Sequence, residues 1–253
     1  MSNTVLLPYA IGFSLSNPYF TPHKTFTYYL TDFLNVDCEF NDFFNGYYEY
    51  EDHVYEEASN TMMLQCLTDL SIMAQGYTIY VHNLAGFDSL FLLKPLTTVF
   101  GEYDLISDRS RDVISITLPG PIIIKDSCRI LTASLKTLSN MYDVAIKKGE
   151  FDHASVTFKN IVDIQKEVLI YLNRDLISLL DVMLAASKHI YGTYRVDLST
   201  TFSASSLAMK IYRTNFLDLT IPKLSRGLEK EIRSRAYVGG AVQKFANEGH
   251  NLH

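Results

Sequence analysis

The sequence predicts a mixed α/β domain, because segments with strand patterns and segments with helix patterns are interspersed along the chain. Two β-rich apolar runs, residues 8–15 and 24–30, flank Asn-Pro and Thr-Pro pairs that indicate a turn, so they predict an antiparallel hairpin. A long helical pattern extends from about Val162 to Ile190. With 253 residues and 47% hydrophobic content, the chain can bury a large core.

Between the hairpin and the long helix, the sequence predicts shorter elements in alternation. Residues 41–57 mix acidic and aromatic residues without a period and predict a loop, and Ser59 is a candidate N-cap for a helix ending near Gln75. "YTIYVHN" predicts a strand, and the helical pattern "SLFLLKPLTTVF" follows it, with Pro95 expected to kink or end the helix. Two further strands are predicted at "VISITLP" and "PIIIKDS", and a short helix at "SLKTLSNMYDV". Another helix, "SASSLAMKIYRTNFL", is predicted after the long one.

Composition narrows the classes of function. The formal net charge is −6, from 22 Lys+Arg against 28 Asp+Glu, which argues against a protein that coats nucleic acid by charge alone. The three cysteines, Cys38, Cys66 and Cys128, have no CxxC spacing, so neither a zinc site nor a disulfide framework is indicated. No apolar run reaches about eighteen residues, so the sequence predicts no transmembrane helix and no membrane partner.

Asp88 is the first candidate site residue, because it ends the apolar stretch "YVHNLAGFD". The pattern predicts that its carboxylate lies between the end of a strand and the start of a helix, where ligand sites are common. The alternative is an ordinary carboxylate at a helix N-terminus, stabilised by the helix dipole.

Tyr171 and Asp175 form a second candidate site on the long helix. They are four residues apart and therefore share a face, so Tyr171 is able to orient a water or a phosphate beside the Asp175 carboxylate. An ordinary exposed helix face is the alternative. The core-facing stripe of this helix is predicted from its apolar residues: Leu169, Leu172, Leu176, Leu179, Leu180 and Met183.

Taken together, "HNLAGFD" and "YLNRD" resemble the second and third exonuclease motifs of family-B DNA polymerases, Asn-x-x-x-Phe-Asp and Tyr-x-x-x-Asp. The resemblance is to the protein-primed branch of linear plasmids, mitochondrial plasmids and small phages. Three more stretches match this branch in order: a Ser-Leu-x-x-hydrophobic run at Ser134, Leu135 and Leu138, a Lys-x-x-hydrophobic motif at Lys148 and Phe151, and a Tyr-x-Gly-Gly motif at Tyr237, Gly239 and Gly240.

The resemblance implies an RNase H-like 3′–5′ exonuclease domain over residues 1–195 and a helical linker towards a polymerase palm over residues 196–253. It implies that Asp88 and Asp175 bind Mg²⁺ or Mn²⁺ and that Tyr171 positions the attacking water. The partners that it implies are single-stranded DNA and a terminal priming protein. The implied nucleic-acid contacts are Asn83, Phe87, Ser134, Leu135, Lys148, Tyr237, Gly239 and Gly240.

The sequence also departs from the family's pattern. A strand ending in Asp-x-Glu is expected shortly before "PYAIGF", where the chain has only "MSNTVLL", and the palm aspartates are expected after residue 253. Losing two anionic ligands weakens a two-metal site, so we expect a truncated, inactive DNA polymerase that retains most of the exonuclease domain.

Two alternatives stay open. The first is a non-catalytic module that binds single-stranded DNA or the priming protein. The second is an active nuclease with a rearranged site that uses Asp37 and Glu39, which have the expected spacing but follow the hairpin. The plasmid resemblance, together with an N-terminus that has no basic presequence, predicts a mitochondrial protein made in the organelle.

Overall fold

The structure is a computed structural model that describes residues 6–16, 23–34, 52–120, 122–219 and 224–235. The chain divides into two compact units, Met1–Asn215 and Phe216–His253. The sequence places the domain boundary at residues 195 and 196, and that boundary stays a prediction.

The predicted N-terminal hairpin is confirmed. Strand β1 (Ala10–Leu15) pairs with β2 (Lys24–Tyr29) in an antiparallel register that runs from Ala10 opposite Tyr29 to Leu15 opposite Lys24. The strands approach closely at Gly12, where a Cβ atom would lie 2.5 Å from the carbonyl oxygen of Phe26. Only glycine therefore fits this position without a shift of the backbone.

A second sheet carries the candidate site. Its four strands are β3 (Thr78–Val81), β4 (Asp104–Ser107), β5 (Val113–Leu118) and β6 (Ile122–Asp126), in the order β3-β6-β5-β4. β3 and β6 are parallel, whereas the other pairs are antiparallel. Val81 lies opposite Asp126, so the carboxyl ends of β3 and β6 reach the same edge of the sheet. β4 was not predicted, because all four of its residues are exposed and it lacks an alternating pattern.

Helix α1 (Asp52–Met73) begins before the position predicted from Ser59. Ser59 is not an N-cap: it lies inside the helix, is buried, and donates a hydrogen bond to the carbonyl oxygen of Pro8 (2.5 Å). Residues 52–57, predicted as loop, are helical, and the rest of that predicted loop lies outside the described residues. Tertiary packing of the buried α1 face outweighs the local capping signal.

Helix α2 (Ser89–Phe100) continues through Pro95, so the prediction that this residue ends the helix is wrong, and the predicted kink stays a prediction. Pro95 is buried in the same face as Ser89, Leu92 and Leu96. The helix loses one backbone hydrogen bond at the proline, and the packing of this apolar face holds the two turns together.

The remaining helices largely follow the sequence patterns. They are α3 (Leu135–Met141), α4 (Gln165–Tyr194), α5 (Ala204–Asn215) and α6 (Arg226–Arg235), of which α6 was not predicted. In the predicted stripe of α4, Met183 is buried and the five leucines are half-buried, and the buried side chains of this helix also include Val168, Val182 and Ala186. Within the described residues, no helix has both the length and the apolar character needed to cross a membrane.

A buried lysine joins the site-bearing sheet to the segment after α4. Lys125 of β6 is 2% exposed, and its ammonium donates hydrogen bonds to the carbonyl oxygens of Ser199 and Thr201. It also lies 4.1 Å from the ring centroid of Phe202, within the range of a cation–π contact. Burial lowers the pKa of Lys125, but the two carbonyls and the ring satisfy its charge locally.

Candidate functional site

After β3, the chain forms a turn whose backbone conformation differs from that of an ordinary helix start. Asn83 has a left-handed backbone conformation (φ 68°, ψ 38°), and Leu84–Asp88 then form one π-helical turn that continues directly into α2. π-Helical turns occur frequently at functional sites. The prediction that Asp88 lies between a strand end and a helix start is therefore confirmed.

The Asp88 side chain does not cap this helix, since it makes no hydrogen bond to the first turn of α2. Its pKa is raised to about 6, chiefly by burial and then by the nearby negative charge of Asp126. A carboxylate stabilised by the helix dipole would have a lowered pKa. The ordinary N-terminal interpretation of Asp88 is thus disfavoured.

Asp126 is the buried partner of the turn that contains Asn83 and Asp88. Its carboxylate accepts hydrogen bonds from the backbone N–H groups of Asn83 (3.1 Å), Ala85 (3.2 Å) and Cys128 (2.9 Å). The side chain is only 2% exposed. These bonds join the ends of β3 and β6 across the edge of the sheet.

Tyr171 and Asp175 share a face of α4, as predicted, and both meet Lys148. The Lys148 ammonium donates hydrogen bonds to the Asp175 carboxylate (2.6 Å) and to the Tyr171 hydroxyl (3.1 Å), and the backbone N–H of Gly149 donates to Asp175 (3.2 Å). Burial opposes the charge of Lys148, but these two side-chain hydrogen bonds outweigh it and raise its pKa. Burial also raises the pKa of Tyr171.

Aromatic rings extend this group. His153 packs edge-on against Tyr171 at a centroid distance of 5.3 Å and against Phe151 at 5.1 Å. The Tyr9 hydroxyl and Nδ1 of His153 form a hydrogen bond of 2.6 Å. The rings therefore hold the Tyr171 side of the site beside the N-terminal hairpin.

His82 directly follows β3 at the edge of the sheet. Its ring forms a 3.1 Å hydrogen bond with Ser127, and its pKa is lowered mainly by burial, with the charge of Asp126 opposing this shift and that of Lys148 adding to it.

The predicted nucleic-acid contacts have different surroundings. Phe87 is 52% exposed beside the site, and Asn83 is also exposed. Ser134 instead caps α3 by accepting a hydrogen bond from the backbone N–H of Thr137 (3.2 Å), and Leu135 is buried, so it offers little surface to a partner. The roles proposed for Ser134 and Leu135 remain predictions. The Tyr237, Gly239 and Gly240 motif lies outside the described residues, as do Asp37 and Glu39.

The described carboxylates do not by themselves fit a two-metal centre. Within the described ranges, no group of three or more His, Cys, Asp or Glu residues is placed to hold a metal ion. The Asp175 carboxylate is paired with Lys148, and that of Asp126 accepts three backbone N–H groups.

Sequence reasoning missed Asp126, His82, His153 and Tyr9. Asp126 carries the signal that revealed Asp88, an acidic residue directly after a buried apolar run, here "PIIIKD". The other three carry no comparable signal, since a lone aromatic residue or histidine is common in any core.

The fold is one found in DNA polymerases. Phi29 DNA polymerase complexed with primer-template DNA and incoming nucleotide substrates superposes with a TM-score of 0.52 and 21% identity, covering 69% of this chain and 33% of that one. An orthorhombic crystal form of the same polymerase gives a TM-score of 0.51 at 20% identity, over 67% of this chain and 32% of that one. At such identities the likeness shows the fold alone, and it confirms the predicted mixed α/β class.

Sequence comparison gives the family. The family of type B DNA polymerases, organellar and viral, matches residues 68–163 and 156–252, and the chain belongs to this family. A probable DNA polymerase of Ascobolus immersus is 29% identical over 238 residues, which cover 76% of this chain and 20% of that protein. One from Podospora anserina is 25% identical over 325 residues, covering 96% of this chain and 25% of that protein. The chain thus spans about a fifth to a quarter of the length of these relatives.

Proposed function

We propose that this chain is the RNase H-like 3′–5′ exonuclease region of a protein-primed DNA-directed DNA polymerase, and that its site receives the 3′ end of single-stranded DNA. One set of observations carries the proposal: Asp88 follows a strand end beside the buried Asp126 carboxylate, and Tyr171 and Asp175 share a face of α4, in a chain that belongs to the family of type B DNA polymerases.

The exposed groups around this edge suit a single strand. Phe87 offers a ring that is half exposed, and bases of any sequence stack on such a ring. The amide of Asn83, which is also exposed, offers both a donor and an acceptor. Local contacts of this kind, rather than a broad basic surface, would bind the strand.

We further propose that the chain alone binds strand ends but hydrolyses them poorly. Members of the family use divalent metals, and Mg²⁺ or Mn²⁺ suits carboxylate ligands. Here the Asp175 carboxylate is paired with Lys148 at 2.6 Å, and burial and the charge of Asp126 raise the pKa of Asp88 to about 6. A non-catalytic role in binding single-stranded DNA is therefore the second candidate function, favoured by the same ion pair.

The setting of this function is part of the proposal. The family description names organellar and viral members, and the relatives are fungal polymerases, which supports a role in replicating a linear mitochondrial plasmid. A terminal priming protein would be the second partner in such a system.

The test uses a single-stranded oligonucleotide with a fluorophore at its 5′ end. We expect binding by fluorescence anisotropy and little shortening of the strand in Mn²⁺. Replacing Phe87 with Ala should weaken binding at least about fivefold, because a stacked base contributes about 1–3 kcal/mol. Tyr212→Ala is the matched control, since Tyr212 is 49% exposed on α5.

Two results would contradict the proposal. If the wild-type chain does not bind the oligonucleotide, the strand-end function is wrong. If Mn²⁺ supports rapid shortening that Asp88→Ala abolishes, the proposed weakness of hydrolysis is wrong, and an active nuclease replaces it.

A further inference from the structure

We propose that Asp126 is a positioning residue, whose buried carboxylate fixes the Asn83–Asp88 turn and thereby gives the site its preference for a strand end. The DNA part of this inference rests on the proposed function. Asp126 itself touches no substrate in this scheme. It acts through the backbone that carries Asn83 and Phe87.

The geometry of the carboxylate supports this role. Oδ1 accepts hydrogen bonds from the backbone N–H groups of Asn83 (3.1 Å) and Cys128 (2.9 Å), while Oδ2 accepts from Ala85 (3.2 Å). Each oxygen thus contacts the turn after β3, and one of them also contacts the turn after β6. A carboxylate offers two acceptor oxygens and no donor, so it suits a position surrounded by N–H groups.

The turn needs such an acceptor because of its backbone. The first N–H groups of a helix have no partner within the helix, and a buried N–H without a partner costs free energy. Asn83 has a left-handed backbone conformation, and the turn after it is π-helical. The Asn83 side chain makes no capping hydrogen bond to this turn. Asp126 supplies the missing acceptor from the neighbouring strand, where it lies opposite Val81.

The backbone N–H groups that Asp126 binds belong to the segment of the proposed contact residues. One is the N–H of Asn83 itself, and the other belongs to Ala85, two residues before Phe87. Neither the Asn83 nor the Phe87 side chain is buried, and the Phe87 ring lies against Phe91 of α2 at a centroid distance of 5.0 Å. The backbone that carries both side chains is the segment that Asp126 holds.

Two substitutions of Asp126 distinguish its hydrogen bond to Ala85 from those to Asn83 and Cys128. Asp126→Asn keeps an acceptor oxygen for Asn83 and Cys128 but turns an NH₂ group towards the Ala85 N–H. Asp126→Ala removes every acceptor. We expect amide hydrogen exchange at Ala85 to become about tenfold faster in Asp126→Asn, and exchange at both Asn83 and Ala85 to become at least that much faster in Asp126→Ala.

The second readout is the preference for an end. It is the ratio of the affinities for a linear oligonucleotide and for a covalently closed circle of the same sequence. We expect Asp126→Asn to lower this ratio at least about threefold. A loss of overall stability alone would weaken both affinities together and leave the ratio unchanged. Asp69→Asn in α1 is the control, because Asp69 also accepts side-chain hydrogen bonds, from Tyr28 (2.7 Å) and Gln65 (3.1 Å).

The outcomes separate the two proposals. Faster exchange at Ala85 with a lowered ratio supports the positioning role, provided that Asp69→Asn changes neither. Unchanged exchange at Ala85, or an unchanged ratio in a variant with faster exchange, overturns it. If the wild-type chain binds neither oligonucleotide, the proposed function fails, and with it the end preference, whereas the exchange data still decide whether Asp126 holds the turn.

Discussion

The two carboxylates at the candidate site lie in opposite electrostatic surroundings. Asp88 is partly buried near the negative charge of Asp126, and its pKa rises to about 6. Asp175 is paired with the Lys148 ammonium at 2.6 Å and also accepts a hydrogen bond from Gly149. The negative charge of Asp126 therefore disfavours a second charge on Asp88, whereas the charge of Asp175 is paired with a cation.

This difference shows that matching motifs do not guarantee matching environments. Two aspartates that the sequence treats as equivalent ligands have opposite effects on the folded chain. Ionised Asp88 works against folding, while the Asp175 carboxylate joins α4 to Lys148 and Gly149 through hydrogen bonds.

The largest expected effect comes from removing Lys148. In Lys148→Met, the aliphatic stem remains, but the Asp175 carboxylate, whose side chain is only 17% exposed, loses its counter-charge. We expect the free energy of unfolding to fall by about 2 kcal/mol, as measured by urea denaturation.

Lys136→Met is the matched control for this prediction. Lys136 pairs with Glu150 at 2.5 Å, but the side chains are 62% and 81% exposed, so water screens the pair and no measurable change is expected. If the two lysine substitutions lowered the free energy of unfolding equally, burial would not make the Lys148–Asp175 pair more stabilising than the Lys136–Glu150 pair.

Substitutions of the two aspartates should have opposite signs. Because the pKa of Asp88 is raised in the folded chain, the stability that this group contributes is full below its unfolded pKa, near 4, and is lost as pH rises through about 6. Asp88→Asn should therefore stabilise the protein by about 1 kcal/mol at pH 8, and by almost nothing at pH 4.

Thermal denaturation at both pH values measures this effect, with Asp175→Asn as the comparison. Asp175→Asn removes the partner of Lys148 and should lower the melting temperature at pH 8. If Asp88→Asn also destabilises the protein at pH 8, the contrast between the two environments is wrong.

The smallest expected effect on stability is at Gly86. A Cβ atom there would lie 2.6 to 2.9 Å from the side-chain amide of Asn83, so Gly86→Ala should displace that exposed side chain. The free energy of unfolding should change by less than about 1 kcal/mol, since alanine also favours helix. Binding of a single-stranded 3′ end should weaken, as measured by anisotropy.

Gly192→Ala is the control for this substitution. Gly192 lies in α4 with no atom within 4 Å of an added Cβ, so the change should stabilise the helix slightly and leave DNA binding unaltered. Equal DNA affinities in both variants would show that the Asn83 amide does not contact the strand.

Local patterns predicted much of the fold and half of the site. The spacing of Tyr171 and Asp175 determined their shared face, because helical periodicity is a local property. Asp126 escaped detection because its role depends on the parallel pairing of β3 with β6, which joins residues more than forty positions apart. A single sequence does not specify which strands pair.

The errors have the same origin. Pro95 and Ser59 carry strong local signals for a helix end and a helix start, yet both lie within helices and are buried. In each case the packing of an apolar face outweighed a local preference of about 1 to 3 kcal/mol. The edge strand β4 gave no signal because exposure on both faces removes the alternation that identifies a strand.

The buried ammonium of Lys125 has a consequence for biosynthesis. Its acceptors, the carbonyls of Ser199 and Thr201, follow it by more than seventy residues, beyond the whole of α4. While the chain emerges from a ribosome, the sheet can pair before these acceptors exist, but its lysine then has no partner. The sheet should therefore reach its final stability only after residue 201 has emerged, and a chain that stops at the end of α4 should expose this region to proteases.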